Sequence, residues 1–137
     1  MAALQNAFSS SAPIREKREI ITDSDAATGI VTYEEWRKNG KWDRADGPAC
    51  IRRDAATGTV TKELWYSDDR LDRADGPAFI ERGAATGIVT YEAWWKDGKQ
   101  FEPSTAQRAA WLEKSGERMP PPTNVIVFEP KPRTPAM

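Results

Sequence analysis

The chain has 137 residues, with 20 Lys and Arg against 21 Asp and Glu. Its net charge of −1 provides no electrostatic footprint for nucleic acid or an anionic membrane surface. Hydrophobic residues make up 39% and mean hydropathy is −0.70, so a single domain of this length is expected to have a thin core, as repeat architectures do. There is no histidine and one cysteine, Cys50, which removes the usual general base, the commonest metal ligand, the Ser–His and Cys–His dyads and any intramolecular disulfide. A non-enzymatic chain without cofactor or metal is expected. Asp23-Ser-Asp25 and Asp68-Asp69 lack calcium-loop spacing and read as turns. No stretch approaches the ~18 apolar residues of a membrane span. The first residues, MAALQNAFSSSAP, lack the basic and apolar regions of a signal peptide. The expected location is cytoplasmic, or within a virion for a phage-encoded chain.

Residues 1–13 read as an arm. A repeat follows, because AATG occurs at 26–29, 55–58 and 84–87, Trp at 36, 65 and 94, and DRADGPA at 43–49 and 72–78, always in steps of 29. The units are 14–42, 43–71 and 72–100, and the first has IREKREI in place of DRADGPA. Degenerate outer units are characteristic of stacked repeats.

Each unit reads as paired strands. PACIRRD at 48–54 and PAFIERG at 77–83 place Ala49, Ile51, Ala78 and Ile80 on one face. AATG then makes a hairpin loop closed by a left-handed Gly. The β-branched and aromatic runs at 30–38, 59–67 and 88–96 form the second strand. Asn39-Gly40 and Asp97-Gly98 are two-residue hairpin turns, and Asp68-Asp69 is a poorer version. Gly47-Pro48 and Gly76-Pro77 bend the chain into the next strand. The fold class is therefore mainly β, with tandem hairpins forming an elongated antiparallel sheet or a small solenoid.

The second strands have two faces. Thr32, Glu34 and Trp36 recur identically as Thr61, Glu63, Trp65 and Thr90, Glu92, Trp94. The opposite face carries Val31, Val60 and Val89, then the variable positions Tyr33/Lys62/Tyr91, Glu35/Leu64/Ala93 and Arg37/Tyr66/Trp95. Constancy fits a structural face, while variation on a fixed scaffold fits recognition. Tyr33, Arg37, Leu64, Tyr66, Tyr91 and Trp95 are thus candidate partner-binding residues. The reverse, with Leu64, Tyr66 and Trp95 in the core, is open. Arg15, Arg44 and Arg73 precede Glu34, Glu63 and Glu92 by a constant 19 residues, which suggests one ion pair per unit. The alternative is surface charges worth under ~1 kcal/mol each. Cys50 aligns with Phe79 and reads as an apolar substitute.

The string E-x-W-x-x-x-G-K followed by D-R-x-D-G-P-A resembles the MORN-repeat superfamily in its bacterial and phage variants. Glu34, Trp36, Asn39, Gly40 and Lys41 match, as do Glu92, Trp94, Gly98 and Lys99. The resemblance covers about residues 14–100 and implies stacked hairpins that contact other protein chains; some such variants act as immunity components of toxin–antitoxin pairs. The unit is longer than a typical MORN repeat, and Asp43 and Asp72 stand where related repeats carry His.

After the repeats, STAQRAAWLEKS at 104–115 reads as a helix with a Ser104/Gln107 capping box and Gly116 at its end, covering the open edge of the last unit. Residues 117–137 form a Pro-rich arm around Val125, Ile126, Val127 and Phe128, a short apolar segment suited to adding to a sheet edge on this chain or another.

Overall fold

The computed structural model describes residues 16–120; Arg15, the arm at 1–13 and Val125–Phe128 lie outside the described residues. Among the described residues ten strands and one helix follow in chain order: β1 (Arg18–Ser24), β2 (Val31–Lys38), β3 (Lys41–Trp42), β4 (Cys50–Arg53), β5 (Val60–Leu64), β6 (Tyr66–Ser67), β7 (Arg70–Leu71), β8 (Phe79–Arg82), β9 (Val89–Lys96), β10 (Lys99–Phe101) and α1 (Thr105–Ser115). The protein is mainly β. The main sheet is open and antiparallel, in the order β1-β2-β4-β5-β8-β9-β10, with β3 paired to β2 and with β6 and β7 forming a separate small hairpin.

The turns are built as their residues demand. Gly29, Gly58 and Gly87 close the AATG loops at φ of 76°, 79° and 72°. In the first two loops the Asp25 and Asp54 carboxylates accept the N–H groups of Ala27 and Thr28, and of Ala56 and Thr57. Asn39-Gly40 and Asp97-Gly98 are left-handed at both positions, and so is Asp68-Asp69. Asp69 is held there by its neighbour: its N–H donates to the Trp42 carbonyl, and its carboxylate accepts the Trp42 N–H at 2.7 Å.

A bulge near the start of each second strand corrects one expectation. In the last unit the register shifts between Glu81 and Arg82, so Val89 pairs with Arg82. The extra residue turns Val89 onto the constant face, where it packs with Ile80, Trp94 and Trp111, and leaves Thr90 exposed. Strict alternation had placed the constant valines on the variable face.

The helix begins with the expected capping box and ends at Gly116, whose N–H donates to the Leu112 carbonyl. Its apolar side chain, Trp111, is 2% exposed and meets Trp94 edge-on at 6.0 Å. Phe101, Leu112 and Met119 complete this cluster. The helix therefore packs on the constant face of the last unit. The segment after it is also tied down: Glu117 accepts from Arg82, and the Arg118 carbonyl accepts the Val89 N–H at 2.9 Å.

Candidate interaction surface

The constant face is chemically closed upon itself. The indole N–H groups of Trp36, Trp65 and Trp94 donate to Glu34, Glu63 and Glu92, two residues earlier, at 2.6, 3.0 and 2.9 Å. These neighbours share a face because side chains alternate along a strand. Across the sheet the register reads Glu34, Ile51, Glu63, Ile80, Glu92, so each carboxylate is flanked by isoleucine.

The ion pairs differ from the proposed spacing. Glu63 pairs with Arg82 at 2.7 Å, not with Arg44, and Glu92 pairs with Arg108, not with Arg73. Glu34 pairs with Arg53 at 3.0 Å. The 19-residue interval is real but runs forward, from Glu34 to Arg53 and from Glu63 to Arg82, because those arginines lie on the next strand across. Arg44 stands 3.8 Å from Glu34, a second and longer ion pair of that carboxylate, and not beside Glu63. Arg44 and Arg73 each also cover an indole. Their guanidinium carbons stand 3.7 and 3.8 Å from the ring centroids of Trp36 and Trp65, a cation–π arrangement. Each also bonds the Asp and the Pro carbonyl of its own loop, Asp46 and Pro48 or Asp75 and Pro77. This geometry explains the loop glycines. A Cβ on Gly47 or Gly76 would come within 2.9 or 2.7 Å of the guanidinium carbon. Asp43 and Asp72, the positions that depart from the MORN pattern, bind the next hairpin turn by accepting the N–H groups of Asp68 and Asp97.

Burial opposes ionisation of Glu34 and Glu92, but bonds from Trp36 and Arg53, and from Arg108 and Trp94, outweigh it and hold both below the ordinary carboxylate range. These carboxylates stay ionised near neutrality and fully engaged. A groove of about 520 Å³ lies between successive DRADG loops, and its charges are already matched: Arg44 with Asp46, Arg73 with Asp75 and Lys96 with Asp72.

The variable face is different. Two rows cross it. The inner row reads Ile21, Glu35, Cys50, Leu64, Phe79, Ala93. Cys50 is buried, Ala93 is 4% exposed and Leu64 is half-buried. Trp42 stacks on Tyr66 at 4.9 Å near this row, so Leu64 and Tyr66 are partly core. Buried Glu35 accepts from Tyr33, Arg37 and Trp42. Burial opposes its charge, yet these bonds hold its pKa down; burial and the bond to Glu35 raise that of Tyr33. Arg37 is thus a structural partner of Glu35 as well as a surface residue.

The outer row reads Asp23, Tyr33, Arg52, Lys62, Glu81, Tyr91. Arg52 lies over Tyr33 at 4.8 Å, Lys62 pairs with Glu81 at 3.5 Å, and Phe79 meets Tyr91 edge-on at 5.3 Å. Arg52 is exposed, and Tyr91 is 48% exposed. Of the six sequence candidates in the described region, Tyr33 and Tyr91 belong to this row, while Leu64 and Tyr66 pack inward and Trp95 is half-buried. Arg52, Phe79 and Glu81 were missed, because variation was read on the second strand of each unit alone; Lys62 was read there as variable but not taken as a binding residue. The exchange of Cys50 for Phe79 was a signal that the first strands contribute too.

Among the described residues no group of three Cys, Asp or Glu side chains is placed to hold a metal ion, and no helix is long and apolar enough to cross a membrane. Comparison of the chain with protein-family models, curated proteins and solved structures gave no match.

Proposed function

We propose that this chain is a non-catalytic, MORN-like protein-interaction module, a structural or assembly component of a larger complex such as a phage particle, which binds its partner through the outer row of the variable face. The observation that carries this reading is the contrast between faces. The constant face has its Glu, Trp and Arg groups engaged within the fold, whereas the outer row offers two tyrosines around an exposed Arg52 and a half-buried Lys62–Glu81 pair. Aromatic and Arg side chains on a rigid sheet are suited to protein recognition, since they offer contact area at low entropic cost.

The test is a triple variant, Arg52→Gln, Lys62→Gln and Tyr91→Ser, compared with the unaltered chain for incorporation into the complex formed with the products of neighbouring genes. Loss of incorporation by a chain whose circular dichroism spectrum and cooperative unfolding are retained is expected, and undiminished incorporation would overturn the reading. A second reading, an immunity protein that neutralises a toxin, rests on the same face and on the MORN resemblance. It predicts a one-to-one complex with a toxin that loses its activity, rather than many copies in a particle. The C-terminal arm is tested separately by deleting residues 121–137. A deletion from 117 would remove the contacts to Arg82 and Val89 and confound folding with assembly.

A further inference from the structure

The two edges of the sheet differ. Among the described residues β1 pairs only with β2, yet it runs for seven residues without proline, and Ile20 and Ile21 are 55% and 44% exposed. Natural edge strands are usually shortened, covered or broken by bulges and inward charges. In β1 the only irregularity lies at its far end, between Asp23 and Ser24. Lys17 exchanges bonds with Asn39 on the β2 side, so alternation turns the backbone groups of Arg18, Ile20 and Thr22 outward.

We propose that this edge is a homodimer interface, in which β1 of two copies pair antiparallel about a two-fold axis at Ile20. The charge pattern of the strand selects that register. With the axis at Ile20, Ile20 faces Ile20 of the second copy, Arg18 faces Thr22, and Lys17 faces the oppositely charged Asp23. Moving the axis to Glu19 sets two Glu19 carboxylates against each other, and moving it to Ile21 sets Glu19 against Asp23. Like charges directly opposite across a ladder are destabilising. The assembly also closes, because a two-fold contact uses the same edge of both copies and cannot propagate; at the opposite edge β10 runs for three residues and the Arg118 carbonyl takes the Val89 N–H. This inference goes beyond the interaction-face reading. A monomer would leave that reading intact, and a dimer would leave both rows of the variable face open.

The experiment is sedimentation velocity on the whole chain over a concentration series. A monomer–dimer equilibrium is expected. Ile20→Pro removes an outward N–H without touching the β1–β2 ladder, so it is expected to give a monomer with an unchanged circular dichroism spectrum and melting temperature. Lys17→Asp and Asp23→Lys each set two like-charge pairs across the axis and are expected to raise Kd roughly threefold to tenfold. Combined, they restore opposite charges and the original Kd. Ile20→Cys places the two introduced thiols face to face, about 5.5 Å apart at Cα, and is expected to give a covalent dimer on mild oxidation, while Thr22→Cys does not. A monomer at every concentration, or a dimer unaffected by Ile20→Pro, overturns the proposal. So does a dimer abolished by deleting residues 1–13 or 121–137, which would place an arm on the edge instead of a second β1.

Discussion

The first and last units share a sequence pattern but end in opposite ways. In the last unit Ile80, Val89 and Trp94 are 1%, 1% and 3% exposed beneath Trp111. In the first, Ile20 is 55% exposed and Trp36 is only half-buried. The difference follows from the direction of the ion pairs. Each carboxylate on the constant face is completed by the unit that follows it: Glu34 by Arg53 and Glu63 by Arg82. The last, Glu92, has no following unit, and Arg108 of the helix supplies the missing guanidinium through two bonds at 2.9 and 2.8 Å. Trp94 likewise lacks a stacked arginine and meets Phe101 and Trp111 edge-on. The repeat is polar, so only its C-terminal end leaves a charge needing a substitute. Among the described residues its N-terminal end leaves Ile20 without apolar cover.

The largest effect is expected where the cap meets the core. Trp111→Ala should cost about 3–5 kcal/mol, the range for removing a large aromatic from a packed site. Chemical denaturation should show it as a lowered midpoint. A loss under ~1 kcal/mol would mean that the last unit stands without its helix.

A smaller effect, roughly 1.5–3 kcal/mol, is expected for Arg82→Ala, which takes a charged donor from both Glu63 and Glu117. A double-mutant cycle with Glu63→Gln should give a clear coupling energy, while the cycle of Glu63→Gln with Arg44→Ala should be additive. The opposite outcome would reverse the direction of the repeat.

Acid titration comes next. Glu34, Glu35 and Glu92 have folded pKa values below the ordinary 4.5. Below 4.5 the unfolded chain binds these protons first, so the stability they contribute is complete above that value and drains as pH falls through their folded pKa values. The melting temperature should therefore drop steeply on the acid side of pH 4.5. Glu92→Gln should lower it at pH 7 and flatten that acid limb.

Much of this arrangement was legible in the sequence because it recurs. The 29-residue step, the Gly-closed hairpins, the Asn39-Gly40 turn and the Ser104 capping box are local patterns, and local patterns survive without tertiary information. The Arg–Glu interval was also visible, but its direction was not. Arg44 and Arg53 both lie 19 residues from a constant-face glutamate, one before Glu63 and one after Glu34, and only the strand order decides between them. The side occupied by Val89 was hidden for a related reason: one bulge residue reverses the alternation, and nothing in IVTYEAWWK marks it. The outer row was half seen, since Tyr33 and Tyr91 are adjacent to Arg52 and Glu81 only through cross-strand register.

The smallest effect sharpens the comparison most. Ile20 and Trp111 are both large apolar residues at an end of the same sheet, and a sequence scale ranks both as core. Burial separates them. Ile20→Ser removes a side chain that is already more than half in water, so in dilute solution it should change the unfolding free energy by no more than about 0.5 kcal/mol. The strand itself is held by its ladder to β2 and by the Lys17–Asn39 exchange, neither of which needs that side chain. A cost near that of Trp111→Ala would show that the N-terminal edge is covered after all, and that the two ends of the sheet are closed alike.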